Sequence, residues 1–267
     1  MVKNGSEILV EALVEQGVDT IFGYPGGSVL NIYDALYKNS DRIRHILTAH
    51  EQGAAHAADG YARATGRVGV CLATSGPGAT NLVTGIATAY MDSIPMVAIT
   101  GNVGTSLIGR DSFQEVYIAG ITMPITKHNF VVRHVEELAD TIRSAFRIAA
   151  SGRPGPVLVD IPKDVTSAEC EYIPGGKVEV HETYDVTEEQ FRTVASMIAQ
   201  AERPMIYFGG GVETANAGAA LLALMRKADI PAAHTMMAIG CIPDAEPLSL
   251  GLVGMHGTVS ADWAVER

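Results

Sequence analysis

Three continuous apolar runs constrain the fold of this 267-residue chain more than any other feature. They are Val68–Thr74, Pro95–Thr100 and Pro156–Ile161, and none alternates between polar and apolar residues as a half-buried strand would. Continuous apolar strands are typical of parallel sheets that are covered by helices on both faces. Because helix-period segments separate the runs, the first 165 residues predict a doubly wound parallel α/β sheet.

Shorter patterns predict the other elements of this first domain. Apolar residues recur at helical spacing in several segments, and turn residues such as Gly17 and Pro25 separate them from the strands. The predicted helices are 5–16, 28–37, 51–65, 79–90 and 135–150, and the further predicted strands are Thr20–Gly23 and 43–48.

The sequence changes character after residue 165. Residues 166–186 are polar and rich in turn residues, which is typical of an interdomain linker. A second αβ pattern follows, with helix 187–201, strand 204–208, the turn Gly209–Gly211, helix 215–227 and strand 230–234. We therefore expect a second, Rossmann-like domain over 187–267. It is truncated, because only the first units of a doubly wound sheet are present, and a fragment of a longer chain explains this better than an unusually small fold.

Composition excludes several classes of protein. The net charge is −11 and there is no run of basic residues, so a nucleic-acid-binding surface is not expected. The three cysteines, Cys71, Cys170 and Cys241, are too sparse for a disulfide framework and indicate a reducing compartment. The sequence has no secretory signal and no apolar stretch of about 18 residues that could span a membrane. These features predict a cytoplasmic protein.

Familiar catalytic motifs are missing, but glycine-rich turns follow the predicted strands. There is no P-loop, and His50 and His56 lie on different faces of their helix, so they cannot share a zinc ion. Ligands of open parallel sheets bind at the carboxyl ends of the strands. The turns there predict a rim formed by Gly26, Gly27, Glu51, Thr74–Thr80, Gly101, Phe113 and Gln114. From position alone, Glu51 is either part of a ligand site or a solvated carboxylate at a helix start.

Several segments together resemble thiamine-diphosphate-dependent enzymes that act on 2-oxoacids. In the first domain these are YPGG at 24–27, HEQGAAHAADGYAR at 50–63, TSGPGATN at 74–81, FQE at 113–115 and GRPGPVLVDIPKD at 152–164. In the second domain, residues 203–204, 209–211, 235–237 and 254–258 are similar to FAD-contacting segments. They narrow the resemblance to the catalytic large subunits of the acetolactate (acetohydroxyacid) synthase family.

The resemblance implies a specific reaction. Pyruvate would be decarboxylated on thiamine diphosphate, and the two-carbon carbanion would condense with pyruvate or 2-oxobutyrate, a step of isoleucine and valine biosynthesis. It also implies FAD in a structural role, a homodimer or tetramer, and a small regulatory subunit. Mg²⁺ would be bound by a Gly-Asp-Gly motif on a third domain, and this sequence contains no Gly-Asp-Gly. We therefore expect no metal ligand here and no catalysis by the 267-residue chain alone.

The resemblance also assigns roles to residues. Glu51 would bind the aminopyrimidine of the cofactor, Gly27 would let the backbone approach its thiazolium, Gln114 and Phe113 would face the substrate, and Lys127 would lie near the substrate channel. The thiamine diphosphate side would comprise Glu51, Tyr24, Pro25, Gly26, Gly27, Thr74, Gly76, Pro77, Gly78 and Asn81. The FAD side would comprise Arg153, Gly209, Gly210, Gly211, Thr235, Met236, Gly254, Met255, His256 and Gly257.

Structural roles compete with these assignments. Phe113 and Gln114 can be a core aromatic beside a polar turn, Lys127 a surface residue, Arg153 a cap for the predicted helix 135–150, and Met255 and His256 core residues.

The function also has alternatives: another thiamine-diphosphate carboligase, a pyruvate oxidase-like enzyme, or a non-catalytic binding module. The joint presence of Glu51, Gly27 and Gln114 favours an enzyme over a module.

Overall fold

The computed structural model describes residues 1–180 and 186–266, and the chain divides into two compact units, 1–182 and 183–267. Part of the expected linker, residues 181–185, lies outside the described residues. Within the rest of that range, residues 169–171 form a strand that pairs antiparallel with residues 2–4. This pairing ties the segment to the first unit.

The first unit alternates strands and helices along the chain. Its strands are β1 Val2–Asn4, β2 Thr20–Gly23, β3 Arg44–Leu47, β4 Gly69–Ala73, β5 Met96–Asn102, β6 His128–Val131, β7 Pro156–Pro162 and β8 Glu169–Glu171. Its α-helices are α1 Gly5–Glu15, α2 Leu30–Lys38, α3 Glu51–Thr65, α4 Pro77–Asn81, α5 Val83–Met91, α6 Ile118–Thr122, α7 Leu138–Ala150 and α8 Lys163–Ser167.

Six of these strands form one parallel sheet, in the order β3-β2-β4-β5-β7-β6. Alternate residues of β4 enter different cores: Val70 and Leu72 pack with residues of α1, α2 and α7, whereas Cys71 and Ala73 pack with residues of α3 and α5. Both faces of β4 are therefore apolar, as the continuous runs predicted. The doubly wound parallel α/β class is confirmed.

The edge strand β6 was missed by the sequence prediction, and its composition explains why. It begins with His128 and Asn129 and has neighbours on one side only, so it needs no continuous apolar run. The predicted helix 79–90 is two helices, α4 and α5, which meet at Leu82.

The second unit contains a three-stranded parallel sheet in the order β11-β10-β9. Its elements are α9 Glu188–Gln200, β9 Ile206–Phe208, α10 Gly210–Thr214, α11 Gly218–Ala228, β10 Ala232–His234, β11 Ser249–Leu252 and α12 Val259–Glu266. A small core of Phe208, Met225, Ala232, Ala238 and Ile242 holds them together. Across the described parts of both units, we find no helix with the length and apolarity that crossing a membrane requires.

The chain reverses direction across the large sheet between β2 and β4. From β2 it runs through α2 to β3 on one side, and then returns through α3 to β4 on the other side. Since α2 and α3 contribute to different cores, they cover opposite faces of the sheet. The connection after β2 and the connection after β4 thus lead to opposite sides of the sheet. The point between these two strands is a topological switch point, where open α/β sheets bind ligands.

Asp160 is a carboxyl group buried inside this sheet, on β7. Its two oxygens accept hydrogen bonds from Thr100 Oγ1 at 2.6 Å and Asn102 Nδ2 at 2.5 Å, both on the neighbouring β5. Burial nevertheless dominates and raises the pKa of Asp160 from its ordinary value of 3.8 to about 7. The two hydrogen bonds offset only part of this shift.

We expect the contribution of Asp160 to the free energy of unfolding of the first unit to fall as the pH rises from about 4 to about 7. A carboxyl whose folded pKa is raised binds more protons when folded than when unfolded, so its contribution is lost as the pH rises through the folded pKa. A shift from 3.8 to about 7 sets an upper limit of about 4 kcal/mol. Urea unfolding at several pH values, comparing Asp160→Asn with the exposed-site control Asp41→Asn, measures the effect. Wild type and Asp160→Asn curves that stay parallel would contradict the assignment.

Candidate functional site

The loops that follow β2 and β4 are in close contact at the switch point. A Cβ built on Gly26 would lie 2.4 Å from Cβ of Thr74, so only glycine allows the loops to approach this closely. Thr74 is 7% exposed, and its hydroxyl lies 2.9 Å from Oγ of Ser28. The YPGG and TSGPG segments, which are separated by about 50 residues in sequence, therefore form one packed junction.

Ser28 is the centre of this junction. The backbone N–H of Ser75 donates to Ser28 Oγ at 2.9 Å, and the backbone N–H of Ser28 donates to Thr74 Oγ1 at 3.3 Å. Gly101, on β5, also approaches Ser28: a Cβ on Gly101 would lie 2.3 Å from Ser28 Oγ. The ends of β2, β4 and β5 thus converge on one buried hydroxyl, which fixes the loops relative to one another.

Glu51 is the first residue of α3 and lies beside this junction. The helix begins there because the preceding residue, His50, is its N-cap and accepts a hydrogen bond from the Gln52 N–H through Nδ1 at 3.0 Å. A carboxylate is stabilised at a helix N-terminus. Glu51 is only 9% exposed, however, so the alternative of a solvated helix-start carboxylate does not describe it.

The two oxygens of the Glu51 carboxyl have different surroundings. Oε2 accepts a hydrogen bond from Asn81 Nδ2 at 2.9 Å. Oε1 lies next to Gly78, where a Cβ would approach it to 3.2 Å. Among the described residues, Asn81 alone donates to this carboxyl. Oε1 is therefore the oxygen that is free to bind another group.

Tyr33, on α2, lies in the electrostatic field of Glu51. Burial, and then the negative charge of Glu51, raise the pKa of the Tyr33 phenol. Its hydroxyl lies 3.2 Å from Nε2 of His45, and burial lowers the pKa of that imidazole. The charge of Glu51 therefore acts on a partly buried polar pair, Tyr33 and His45.

The YPGG turn forms the open side of the site. Tyr24 is 41% exposed and Pro25 is also exposed, whereas Gly26 is packed against Thr74. A Cβ on Gly27 would have no neighbouring atom within 4 Å. Gly27 therefore borders open space that a larger residue would partly fill.

The loop that carries Phe113 and Gln114 is seated on the TSGPG turn. Gly76, in that turn, has φ +59°, and a Cβ there would lie 2.6 Å from the carbonyl oxygen of Gln114. Pro77 starts the short helix α4 directly after it. Phe113 is 87% exposed, so it is not the core aromatic of the competing interpretation.

Lys127 and Arg153 lie at the opposite, amino edge of the same sheet. Lys127 precedes β6, and its Nζ donates to the carbonyl oxygens of Ile148 and Ser151 at the end of α7. Arg153 precedes β7 and donates to Ser93 Oγ at 2.6 Å and to the Met91 carbonyl at 3.2 Å. Arg153 thus caps the end of α5 and not that of α7. The structure does not bring either cation together with Glu51.

In the second unit, the predicted FAD-side residues lie in three loops at one edge. Gly209 follows β9, and Gly210 and Gly211 begin α10, so the predicted turn is in part the start of a helix. Thr235 and Met236 follow β10, and residues 254–257 follow β11. Because the three strands are parallel, all three loops lie at their carboxyl ends. A Cβ on Gly209 would lie 3.2 Å from Thr235 Oγ1, and Met255 is 92% exposed. His256 is also exposed, so neither it nor Met255 is a core residue.

Sequence reasoning placed Ser75 on the predicted rim, within Thr74–Thr80, but did not single out Ser28 or Tyr33. Ser28 and Ser75 link the loops, and Tyr33 lies near Glu51. Ser28 and Ser75 each adjoin a glycine turn, which was the available signal. Tyr33 had none, because it lies within an ordinary amphipathic helix.

Comparison with protein families gives two matches. Residues 3–121 match the family model described as the N-terminal TPP binding domain of thiamine pyrophosphate enzymes. Residues 191–267 match the central domain of thiamine pyrophosphate enzymes. The first match contains the junction, Glu51 and the Gln114 loop, and the second contains the three loops of the second unit.

Curated relatives are similar along almost the whole chain. A probable acetolactate synthase large subunit of Methanocaldococcus jannaschii is 54% identical over 98% of this chain and 45% of its own length. The acetolactate synthase large subunit of Corynebacterium glutamicum is 51% identical over 98% of this chain and 42% of its own. The isozyme 1 large subunit of Escherichia coli acetolactate synthase is 52% identical, over 98% and 46%. The chain thus spans somewhat less than half the length of these relatives.

Proposed function

This chain belongs to the thiamine pyrophosphate enzymes, among the relatives of acetolactate synthase large subunits, and we propose that it supplies the Glu51-bearing half of an acetolactate synthase active site. One observation carries the proposal: a buried carboxyl at a switch point, with Oε2 held by Asn81 and Oε1 left for a ligand. The subunit that contains the chain would condense pyruvate with pyruvate or 2-oxobutyrate, in branched-chain amino acid biosynthesis.

The residues at the switch point fit the aminopyrimidine part of thiamine diphosphate. Glu51 offers an oxygen acceptor, and the space next to Gly27 is free of protein atoms. Glu51, Gly27, Gly78 and Asn81 would hold this end of the cofactor. When bound, thiamine diphosphate supplies an electron sink for decarboxylation of a 2-oxoacid and for the carbon–carbon bond that follows.

Glu51 would hold and release a proton at Oε1. A side chain that exchanges a proton during a reaction needs a fixed orientation as well as the right acidity. Asn81 supplies that orientation, because its N–H bond to Oε2 restricts rotation of the carboxyl. At 9% exposure, Glu51 is largely shielded from bulk water.

Gln114 and Phe113 would face the 2-oxoacid. The amide NH₂ of Gln114 can donate to a carboxylate or carbonyl oxygen of the 2-oxoacid, and Phe113 offers an exposed apolar ring beside it. Their loop packs against Gly76, two residues before Gly78. The segment that faces the substrate would therefore be held against the turn that binds the cofactor.

FAD is part of this proposal for the second unit. The three carboxyl-end loops leave open space at Gly211 and expose the thioethers of Met236 and Met255, which suits a flat aromatic ring. Gly209–Gly211, Thr235 and residues 254–257 would contact it, in a structural role. We also propose, from the resemblance alone, that Lys127 lies near a substrate channel and that Arg153 binds a phosphate of FAD.

Other partners are proposed for the complete subunit. Within residues 1–180 and 186–266, no three His, Cys, Asp or Glu side chains are grouped as a metal site requires, so we assign no residue here to Mg²⁺. The relatives are named large subunits, which supports a small regulatory partner. We also propose a homodimer or tetramer, and a cytoplasmic location that is consistent with the free thiols Cys71, Cys170 and Cys241.

The test is to express the full-length subunit that carries this sequence and to supply pyruvate, with and without thiamine diphosphate. We expect acetolactate to form only when the cofactor is present, and 2-aceto-2-hydroxybutyrate to appear when 2-oxobutyrate is added. Products are separated by chromatography and identified by mass. Formation of acetyl phosphate and hydrogen peroxide would identify an oxidase instead. Cofactor binding without turnover of either 2-oxoacid would identify a binding module.

A further inference from the structure

The loop that carries Phe113 and Gln114 is folded around the side chain of Glu115. One carboxylate oxygen, Oε1, accepts the backbone N–H of Gly109, and the other, Oε2, accepts the backbone N–H of Ser112 at 2.8 Å. The Glu115 N–H in turn donates to the Ser112 carbonyl at 3.0 Å. One carboxylate thus replaces the regular backbone pairing that this segment lacks.

The backbone of this loop is strained. Gly109, Asp111 and Gln114 have φ values of +80°, +53° and +55°, which is the left-handed region that non-glycine residues rarely occupy. Two non-glycine residues in this region within four positions persist only where surrounding contacts hold them. The Glu115 carboxylate bonds both sides of Asp111 and so contributes to holding this bend. The Leu107 carbonyl contributes too, because it accepts from the Arg110 N–H and from Ser112 Oγ, each at 3.2 Å.

The loop is also fixed at both ends. At its start, the Thr105 N–H donates to Asp164 Oδ1 at 3.0 Å. At its end, Ile118, the first residue of α6, is 2% exposed and packs in the core. Between these points, Gly76 touches the Gln114 backbone. The exposed Phe113 and Gln114 can therefore keep one orientation only if residues 109–115 keep their fold.

We propose that Glu115 is a positioning residue, which folds residues 109–115 around its carboxylate and thereby presents Gln114 and Phe113 to the substrate. This inference rests on the proposed function, since it assigns the loop to the 2-oxoacid. It concerns a side chain that does not itself touch the substrate.

The charge of Glu115 is consistent with this role. The backbone N–H groups of Ser112 and Gly109 lower the pKa of the Glu115 carboxyl below its ordinary value. The carboxylate form, which accepts at both oxygens, is therefore the form that the loop stabilises. Arg110 and Asp111 are the other charged residues of this bend.

Glu115→Gln in the full-length subunit is the sharpest test. Glutamine has the same shape, but its amide has one acceptor oxygen, so its NH₂ group must face one of the two backbone N–H donors. We expect hydrogen–deuterium exchange in peptides covering 108–115 to become roughly tenfold faster, measured with millisecond labelling and mass spectrometry. We also expect KM for pyruvate to rise roughly tenfold, while the Kd of thiamine diphosphate changes less than twofold.

Asp111→Asn is the matched control. It removes a carboxylate from the same bend, keeps a residue that tolerates the left-handed region, and breaks no hydrogen bond of the described residues. Unchanged exchange in Glu115→Gln, or equal effects in both variants, would overturn the proposal, as would faster exchange with normal pyruvate kinetics. If the wild-type subunit makes no acetolactate, the proposed function fails, while exchange still decides whether Glu115 holds the loop.

Discussion

Changing Glu51 to glutamine in the full-length subunit should lower kcat for acetolactate formation by at least about 100-fold, because general acid–base groups typically contribute factors of this size. Glutamine retains an oxygen that can accept the Asn81 N–H at the position of Oε2, so the packing of the side chain is preserved. The amide then places an NH₂ group where Oε1 faces the ligand, and this group can neither take up nor release a proton at neutral pH. The rate is measured with saturating pyruvate and thiamine diphosphate.

The control for this change is Glu136→Gln, the same chemical substitution at an exposed residue before α7. It should leave kcat and the melting temperature unchanged. Glu51→Gln should also melt within a few degrees of the wild type, which separates lost chemistry from lost folding. Turnover by Glu51→Gln within threefold of the wild type would show that this carboxyl does not handle a proton in the reaction.

Gly76→Ala should destabilise the first unit by about 2–4 kcal/mol and should also reduce turnover more than tenfold. Two effects add. The backbone of Gly76, with φ +59° and ψ −117°, costs alanine at least about 1 kcal/mol. In addition, the new Cβ would lie 2.6 Å from the Gln114 carbonyl oxygen. The Gln114 carbonyl oxygen belongs to the backbone, so this clash can be relieved only by moving the Gln114 loop or the TSGPG turn. Thermal unfolding and pyruvate kinetics of the full-length variant measure both consequences.

Gly66→Ala separates these two effects. Gly66 ends α3 with φ +68°, and a Cβ there has no neighbouring atom within 4 Å. It should therefore lose only about 1 kcal/mol and keep its turnover. If Gly76→Ala and Gly66→Ala cost the same, the contact between Gly76 and the Gln114 loop contributes nothing.

Sequence alone predicted the parts of the fold that depend on local pattern. The strand Thr20–Gly23 and the helix 51–65 have the predicted bounds, because a turn or cap marks each end. Edge strand β6 and the β1–β8 pair were not predicted, since short strands at an edge need no apolar run. The parallel sheet followed from the buried strands β4, β5 and β7, which are apolar on both faces.

The site was predictable as a set of residues but not as a set of contacts. The resemblance singled out Gly26, Gly76 and Glu51, and the carboxyl-end rule placed them on one rim. Nothing local indicates that Ser28 joins three strand ends, because its partners lie more than 45 residues away. The position of Lys127, at the amino edge of the sheet, was equally unpredictable. It is set by contacts with the end of α7, about 20 residues further along the chain, and Lys127's own neighbours in sequence do not indicate it.

The convergence of three strand ends on Ser28 has a consequence for protein engineering. A library that varies Gly26, Ser28 or Thr74 would mostly sample misfolded proteins, because Thr74 is packed against both Gly26 and Ser28. Phe113 is 87% exposed and lies on a segment whose shape depends on a carboxylate two positions away. Under the proposed function, in which Phe113 faces the 2-oxoacid, variation at Phe113 with Glu115 kept constant is therefore the change expected to alter substrate preference while keeping the fold.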